Sequence, residues 1–252
     1  MTQRYKLTIE YNGYGTVGWQ RQQEGLSIQG ALEEAVFCLT RQKLEVVGAG
    51  RTHAGVHATG QVAHVDLDKE WDLYKLLHGL NHHLRENINI EPCPISVVEV
   101  EPVSQEFHAR FSAKRRFYQY VMLNRNARPA LMAGKVWFVP EQLDLEAMQE
   151  AANHLIGTHD FSSFRDSLCQ AKSPIKTLDS IEIIQAGQTV VTNLHALSFL
   201  HRQVRIIMGN LWQVGTGRIP VDQIKVILEA KDRTQSGPTA PSDGLYLTHV
   251  EY

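Results

Sequence analysis

Tyr5, Leu7, Ile9 and Tyr11 alternate with Lys6, Thr8 and Glu10. A strand with this period of two has one face to bury and one to leave wet, so it belongs in a sheet covered on one side. The cover follows in the sequence. After Ser27, a good N-cap, Ile28, Ala31, Leu32, Ala35, Val36 and Leu39 recur at helical spacing. "EVVGAGRTHAGVHATGQVAHVDL" then reads as strand, exposed loop, strand, and a shorter helix over 73–82 leads to a strand in "PISVVEVEPV". The second half repeats the alternation more loosely. A strand is predicted over 116–123, a helix over 145–155, strands over 181–184 and 190–196, helices over 201–214 and 221–229, and a closing strand in "GLYLTHVEY". Mixed order with hairpin-like pairs predicts α+β layers, sheet on one side and helices on the other, not a doubly wound parallel sheet. The boundary is expected near residue 105, giving an N-terminal α+β domain over 1–104 and a C-terminal one over 105–252.

A chain of 252 residues can bury a substantial core. "MTQRYKLTIEY" enters a strand-like alternation with no apolar leader, and no run is long enough to span a bilayer, which points to a cytoplasmic protein. Cys38, Cys93 and Cys169 are odd in number and far apart, so neither a disulfide framework nor a zinc site is suggested; reduced, mostly buried thiols are expected. The net charge of −2 argues against a nucleic-acid binder, but its distribution argues for one. Residues 107–140 hold Arg110, Lys114, Arg115, Arg116, Arg125, Arg128 and Lys135 and no acidic residue. A solvated basic face would look similar, yet a stretch this long without a carboxylate favours a polyanionic partner.

The glycines around Arg51, Thr52 and His53 let the backbone bend sharply and present those side chains. A dinucleotide-binding loop is excluded, because its fingerprint requires glycine where His53 stands. His53 and His57, like His78 and His82, lie four apart, but no third ligand accompanies either pair, and surface or capping histidines are expected. An acid–base pair of His53 and His57 cutting RNA is a weak alternative. In "RFSAKRRFYQY", Phe117 faces one side of a strand and Tyr118 and Tyr120 the other, among consecutive cations; such aromatics pack cores, and can also stack on unpaired bases. "SFLHRQVRIIMGNLWQVGTGR" puts His201, Arg202 and Arg205 on the first turns of an apolar helix, where Arg202 can snorkel to solvent but Arg205 calls for an anion.

With "YNGYGTVGWQRQ", "SIQGALEEA", "GAGRTHAGVHATGQVAH", "LNHHL", "FHARFSAKRRFYQY", "FLHRQVRIIMG" and "SGPTAPSDGLYL" in order, the sequence resembles the tRNA pseudouridine synthase A (TruA) family along essentially its whole length. The resemblance implies the pseudouridine synthase fold, two α+β domains whose mixed sheets join across a basic cleft. It implies conversion of uridine to pseudouridine at positions 38 to 40 of the tRNA anticodon arm, by a homodimer without metal or organic cofactor. It casts Arg51 as the arginine that helps extrude the target nucleotide and Tyr118 as the ring that stacks on the flipped uracil. Arg205 becomes the arginine that pairs with the catalytic aspartate and keeps it ionised. Gln20, Arg21, Arg110, Lys114, Arg115, Arg116, His201 and Arg202 become RNA contacts.

One residue departs from the family pattern. The family's loop reads G-R-T-D-A-G-V-H, and this chain reads "GRTHAGVH", so His53 occupies the position of the catalytic aspartate. Breaking the N1–C1′ bond, turning the uracil and forming a C5–C1′ bond calls for a carboxylate as nucleophile or base, whose charge favours cationic character at C1′. Imidazole offers basicity without that charge. The expectation is an intact scaffold with isomerisation lost or strongly reduced; the alternative is a tRNA-binding or tRNA-folding protein on the same scaffold.

Overall fold

The computed structural model describes residues 2–252. The chain divides into two compact units, Met1–Lys114 with Tyr246–Tyr252, and Arg115–Leu245. The first contains β1 (Gln3–Tyr11), α1 (Ile28–Thr40), β2 (Val47–Gly48), β3 (His57–Leu67), α2 (Leu73–Asn87) and β4 (Ile95–Val103). The second contains β5 (Arg115–Asn124), β6 (Trp137–Val139), α3 (Leu145–Asn153), β7 (Gly157–Asp160), β8 (Ile175–Ala186), β9 (Thr189–Ala196), α4 (Gln203–Gly215) and α5 (Gln223–Ala230). The chain then returns to the first unit through β10 (Leu245–Glu251). The fold is α+β, with mostly antiparallel pairing.

In the first unit the strands run in the order β4-β1-β3-β10, with β2 on β3. The inward residues of β1 are those its alternation marks: Tyr5, Leu7, Ile9 and Tyr11 are all buried. β10 joins β3 in parallel, Tyr246 opposite His57 and Leu247 opposite Ala58. Gly60 permits this approach, since a Cβ there would lie 2.2 Å from the Thr248 carbonyl oxygen. α1 is capped by Ser27, whose hydroxyl accepts from the Gly30 N–H, and it packs on α2. α2 runs to Asn87, five residues beyond its predicted end, because Leu84 continues the buried stripe of Leu76 and Leu80 past His82 and His83. Asn81 ties this helix to β4, donating to the Val97 carbonyl and accepting from the Val97 N–H.

In the second unit the order is β5-β9-β8-β7, with β6 on β5. β8 is twelve residues long, against four predicted, because ladder bonds rather than burial maintain it; only Leu178 and Ile181 along it are buried. α4 begins at Gln203, so His201 and Arg202 precede the helix and are not on its first turns. A Cβ on Gly209 would lie 1.8 Å from the Pro238 carbonyl oxygen, which shows how closely α4 carries the "SGPTAPSDG" segment. The three cysteines are half-buried, correcting the expectation of mostly buried thiols. Among the described residues no helix is long and apolar enough to cross a membrane.

His64 on β3 is 5% exposed, and its Nδ1 accepts from the Ala109 N–H at 3.2 Å. Beside it, Arg4 grips Asp66 with two bonds of 2.7 Å and donates to the carbonyls of Gln105 and Phe107. Burial first, then the charges of Arg4 and His108, push His64 from the ordinary 6.5 down to about 4. Below pH 6.5 the unfolded chain therefore takes up a proton that the fold refuses, and stability falls as pH drops towards 4. His64→Asn keeps an acceptor near Nδ1 and removes the titration. Urea midpoints measured between pH 7 and 4.5 are expected to fall less steeply in this variant; parallel curves would refute the assignment.

Candidate active site

Residue 53 lies in the loop 49–56 between β2 and β3, and backbone contacts fix that loop. The Ala49 N–H donates to the Val62 carbonyl at 2.7 Å, and the Val56 N–H to the His53 carbonyl at 3.1 Å, closing a turn through Gly55, whose φ is 79°. The Thr52 carbonyl accepts from the Trp19 N–H at 3.0 Å. Side chains complete the frame. The Tyr11 and Thr52 hydroxyls share a buried bond of 2.7 Å, and Gln61 Nε2 donates to the Gly50 carbonyl at 3.0 Å. Thr52 is thereby turned inward, Arg51 is exposed and His53 is half-buried.

His57 corrects the expectation of surface or capping histidines. It is 2% exposed, its Nδ1 accepts from the Gly13 N–H at 3.0 Å, and its ring stacks on Tyr246 at 4.7 Å. A buried imidazole holding a backbone bond is a structural group, which leaves the two-histidine RNA-cleaving pair without support. His78 and His82 are exposed on α2. Among the described residues no three His, Cys, Asp or Glu side chains cluster as metal ligands.

The other first-unit candidates surround this frame to different degrees. Gln20 and Arg21 are exposed just after the buried Trp19, and Arg21 forms an ion pair with Glu33 of α1 at 2.5 Å. Arg110 and Lys114 are exposed in the segment after β4.

In the second unit Tyr118 is half-buried on β5, with Phe199 edge-on at 5.2 Å. Burial, opposed by the charge of Arg116, pushes its hydroxyl up to about 12, so it stays protonated and the ring is what it has to offer a ligand. Arg116 donates to the Leu197 carbonyl at 2.5 Å, and Arg115 lies 3.5 Å from Asp179. These two cations therefore have intramolecular partners as well as any external ones.

Arg205 donates from Nε to the Ala240 carbonyl at 2.7 Å. The Ala240 N–H donates back to the Arg205 carbonyl at 3.0 Å. Burial lowers the pKa of the guanidinium, against the opposite influence of Tyr120, Asp243 and Asp166. His201 and Arg202 both reach Asp166, at 3.3 and 3.0 Å, and Arg202 takes a left-handed φ of 58°. Burial opposes the charge on Asp166, but the Leu168 N–H, Arg202 and His201 outweigh it and hold the carboxyl below its ordinary range. Sequence reasoning missed Asp166, Tyr11 and Gln61. Tyr11 carries a readable signal as the last inward residue of β1, whereas Asp166 and Gln61 acquire their roles only from the folded chain.

Gly13 and Gly50 separate close contact from open space within this frame. A Cβ on Gly13 would lie 2.1 Å from the Val56 carbonyl oxygen, whereas one on Gly50 would have nothing within 4 Å. In denaturant unfolding Gly13→Ala is expected to cost about 1–3 kcal/mol and Gly50→Ala to be close to neutral; equal effects would refute the frame.

The model of a family described as tRNA pseudouridine synthase matches residues 8–112 and 151–252. A protein of Rhodospirillum centenum named tRNA pseudouridine synthase A is 52% identical to this chain, covering 99% of it and 100% of the relative. Proteins of the same name from Caulobacter sp. strain K31 and Rhizobium meliloti are 51% and 48% identical, each covering 99% of this chain and 98% and 99% of the relative. The family match draws on both compact units, and relatives about half identical extend along nearly the whole sequence; the chain belongs to the tRNA pseudouridine synthase family.

Proposed function

We propose that this chain is a tRNA uridine isomerase scaffold acting at positions 38 to 40 of the anticodon arm, as a homodimer, with residue 53 at its reacting centre. We further propose that His53, standing where the family carries aspartate, leaves tRNA binding in place and most of the isomerisation lost. In the reaction the N1–C1′ bond breaks, the uracil turns, C5 bonds to C1′, and the proton leaving C5 is balanced by one gained at N1. An aspartate at residue 53 would supply the nucleophile or base and the negative charge that favours cationic C1′. Arg51 is the cation that fills the space left by the extruded nucleotide, a step costing a few kcal/mol. Tyr118 offers its protonated ring as a stacking surface.

The observation that carries this reading is the way residue 53 is held. Its carbonyl accepts from Val56, its neighbour's carbonyl accepts from Trp19, and Thr52 is bonded to Tyr11. A loop held by these bonds sets the backbone of residue 53, which supports reading the change at 53 as a change in the chemistry at that position.

The test is pseudouridine formation on a full-length tRNA with uridine at position 39, comparing the chain with its His53→Asp variant and measuring tRNA binding by both. The variant is expected to turn over on the order of 10⁴-fold faster or more at similar affinity. Comparable turnover by both proteins would refute the role of the carboxylate. Binding by both with product from neither would favour the binding or folding protein.

A further inference from the structure

Between β4 and the end of the first unit's N-terminal segment, residues 104–113 form a loop tied down along its length. Arg4 holds the carbonyls of Gln105 and Phe107, the His64 ring takes the Ala109 N–H, and the Tyr252 hydroxyl donates to the Ala109 carbonyl at 2.8 Å. His108 and Ser112 are bonded twice: the His108 N–H donates to the Ser112 hydroxyl at 3.0 Å and the Ser112 N–H to the His108 carbonyl at 2.9 Å. The His108 Nδ1 also accepts from the N–H groups of Arg110 and Phe111, at 3.2 and 3.3 Å. Ala109 and Ala113 are buried.

Out of this fixed loop projects the ring of Phe111, 77% exposed. The His108 ring backs it at 4.4 Å and 35°, and the Arg110 guanidinium lies 5.7 Å from its centroid. A single exposed hydrophobe needs no explanation; an aromatic ring held by a rigid loop, backed by imidazole and flanked by cations, is organised for a ligand in advance. Residues 107–114 contain Arg110 and Lys114 and no carboxylate.

We propose that Phe111, with Arg110 beside it, is a stacking platform for an unpaired base of bound tRNA, apart from the loop that carries residue 53. The inference rests on the reading that the chain binds tRNA. Every base has a π-face, so stacking on a ring is tolerant of sequence, while an adjacent arginine can meet the base plane or the neighbouring phosphate. An apolar protein partner would find one ring among cations, with the neighbouring alanines buried, which is poor ground for a protein–protein core.

The experiment is equilibrium binding of full-length tRNA at several salt concentrations by the unaltered chain, Phe111→Ala, Phe111→Trp and Arg110→Ala, with thermal unfolding of each as a check on folding. Phe111→Ala is expected to bind about 5- to 150-fold more weakly with an unchanged salt slope and an unchanged unfolding midpoint, and Phe111→Trp to bind like the unaltered chain. Arg110→Ala is expected to make the salt slope shallower by about 1. If the unaltered chain binds tRNA and Phe111→Ala binds it equally well, this proposal fails and the proposed function stands. Unchanged RNA affinity with weakened self-association in Phe111→Ala would make the ring a protein contact and also overturn it. If the unaltered chain binds no tRNA, both readings fail together.

Discussion

Two loops of the first unit meet backbone to backbone, and the geometry of the candidate site follows from that meeting. The Trp19 N–H reaches the Thr52 carbonyl and the Gly13 N–H reaches the His57 ring because Gly13 and Gly18 have no Cβ to hold the chains apart. The contact extends in both directions. The carbonyls of Gly18 and Trp19 accept from the N–H groups of Ile28 and Gln29, so the start of α1 is fastened to the same loop. β3, the loop before it and the helix after the first strand therefore share one reference frame. Within it residue 53 is positioned through its own carbonyl, which accepts from the Val56 N–H, and through the neighbouring contact of Trp19 with Thr52.

The second unit organises charge differently. Its cations are placed by partners in their own fold: Arg202 and His201 by Asp166, Arg205 by the Ala240 carbonyl, Arg115 by Asp179. Arg233 strengthens the segment that Arg205 touches, donating to the carbonyls of Ser236 and Gly237, while the Tyr120 hydroxyl donates to the Pro241 carbonyl at 2.7 Å. Such pairing limits each long side chain to few rotamers before any ligand arrives, which lowers the entropy lost on binding. It also means that a polyanion must compete with intramolecular acceptors, so the raw count of basic residues overstates the charge available to it.

The legibility of the sequence followed burial. β1 and α1 could be read because each buries one face, so hydrophobic period and structural period coincide. β8 could not, because its hydrogen bonds run past the few residues it buries, and the end of α2 was hidden by His82 and His83. At the site, the glycines marked the bends around Arg51, which is exposed, and His53, which is half-buried, and the chemistry proposed for both comes from the motif resemblance. What stayed invisible were contacts made across sequence: Tyr11 on Thr52, Gln61 on Gly50 and His201 on Asp166. Periodicity describes which face a residue occupies and says nothing of which distant carbonyl it will find there.

β10 gives the first unit a history as well as a shape. The unit is discontinuous in sequence, and its last strand is synthesised only after the whole of the second unit. Until Tyr246 and Thr248 leave the ribosome, His57 lacks the ring it stacks on and Gly60 lacks the carbonyl it makes room for. Before β10 is made, the edge of β3 at His57 and Ala58 lacks the strand that pairs with it. For this chain the order of synthesis and the order of completion are opposite: the unit begun first is finished last.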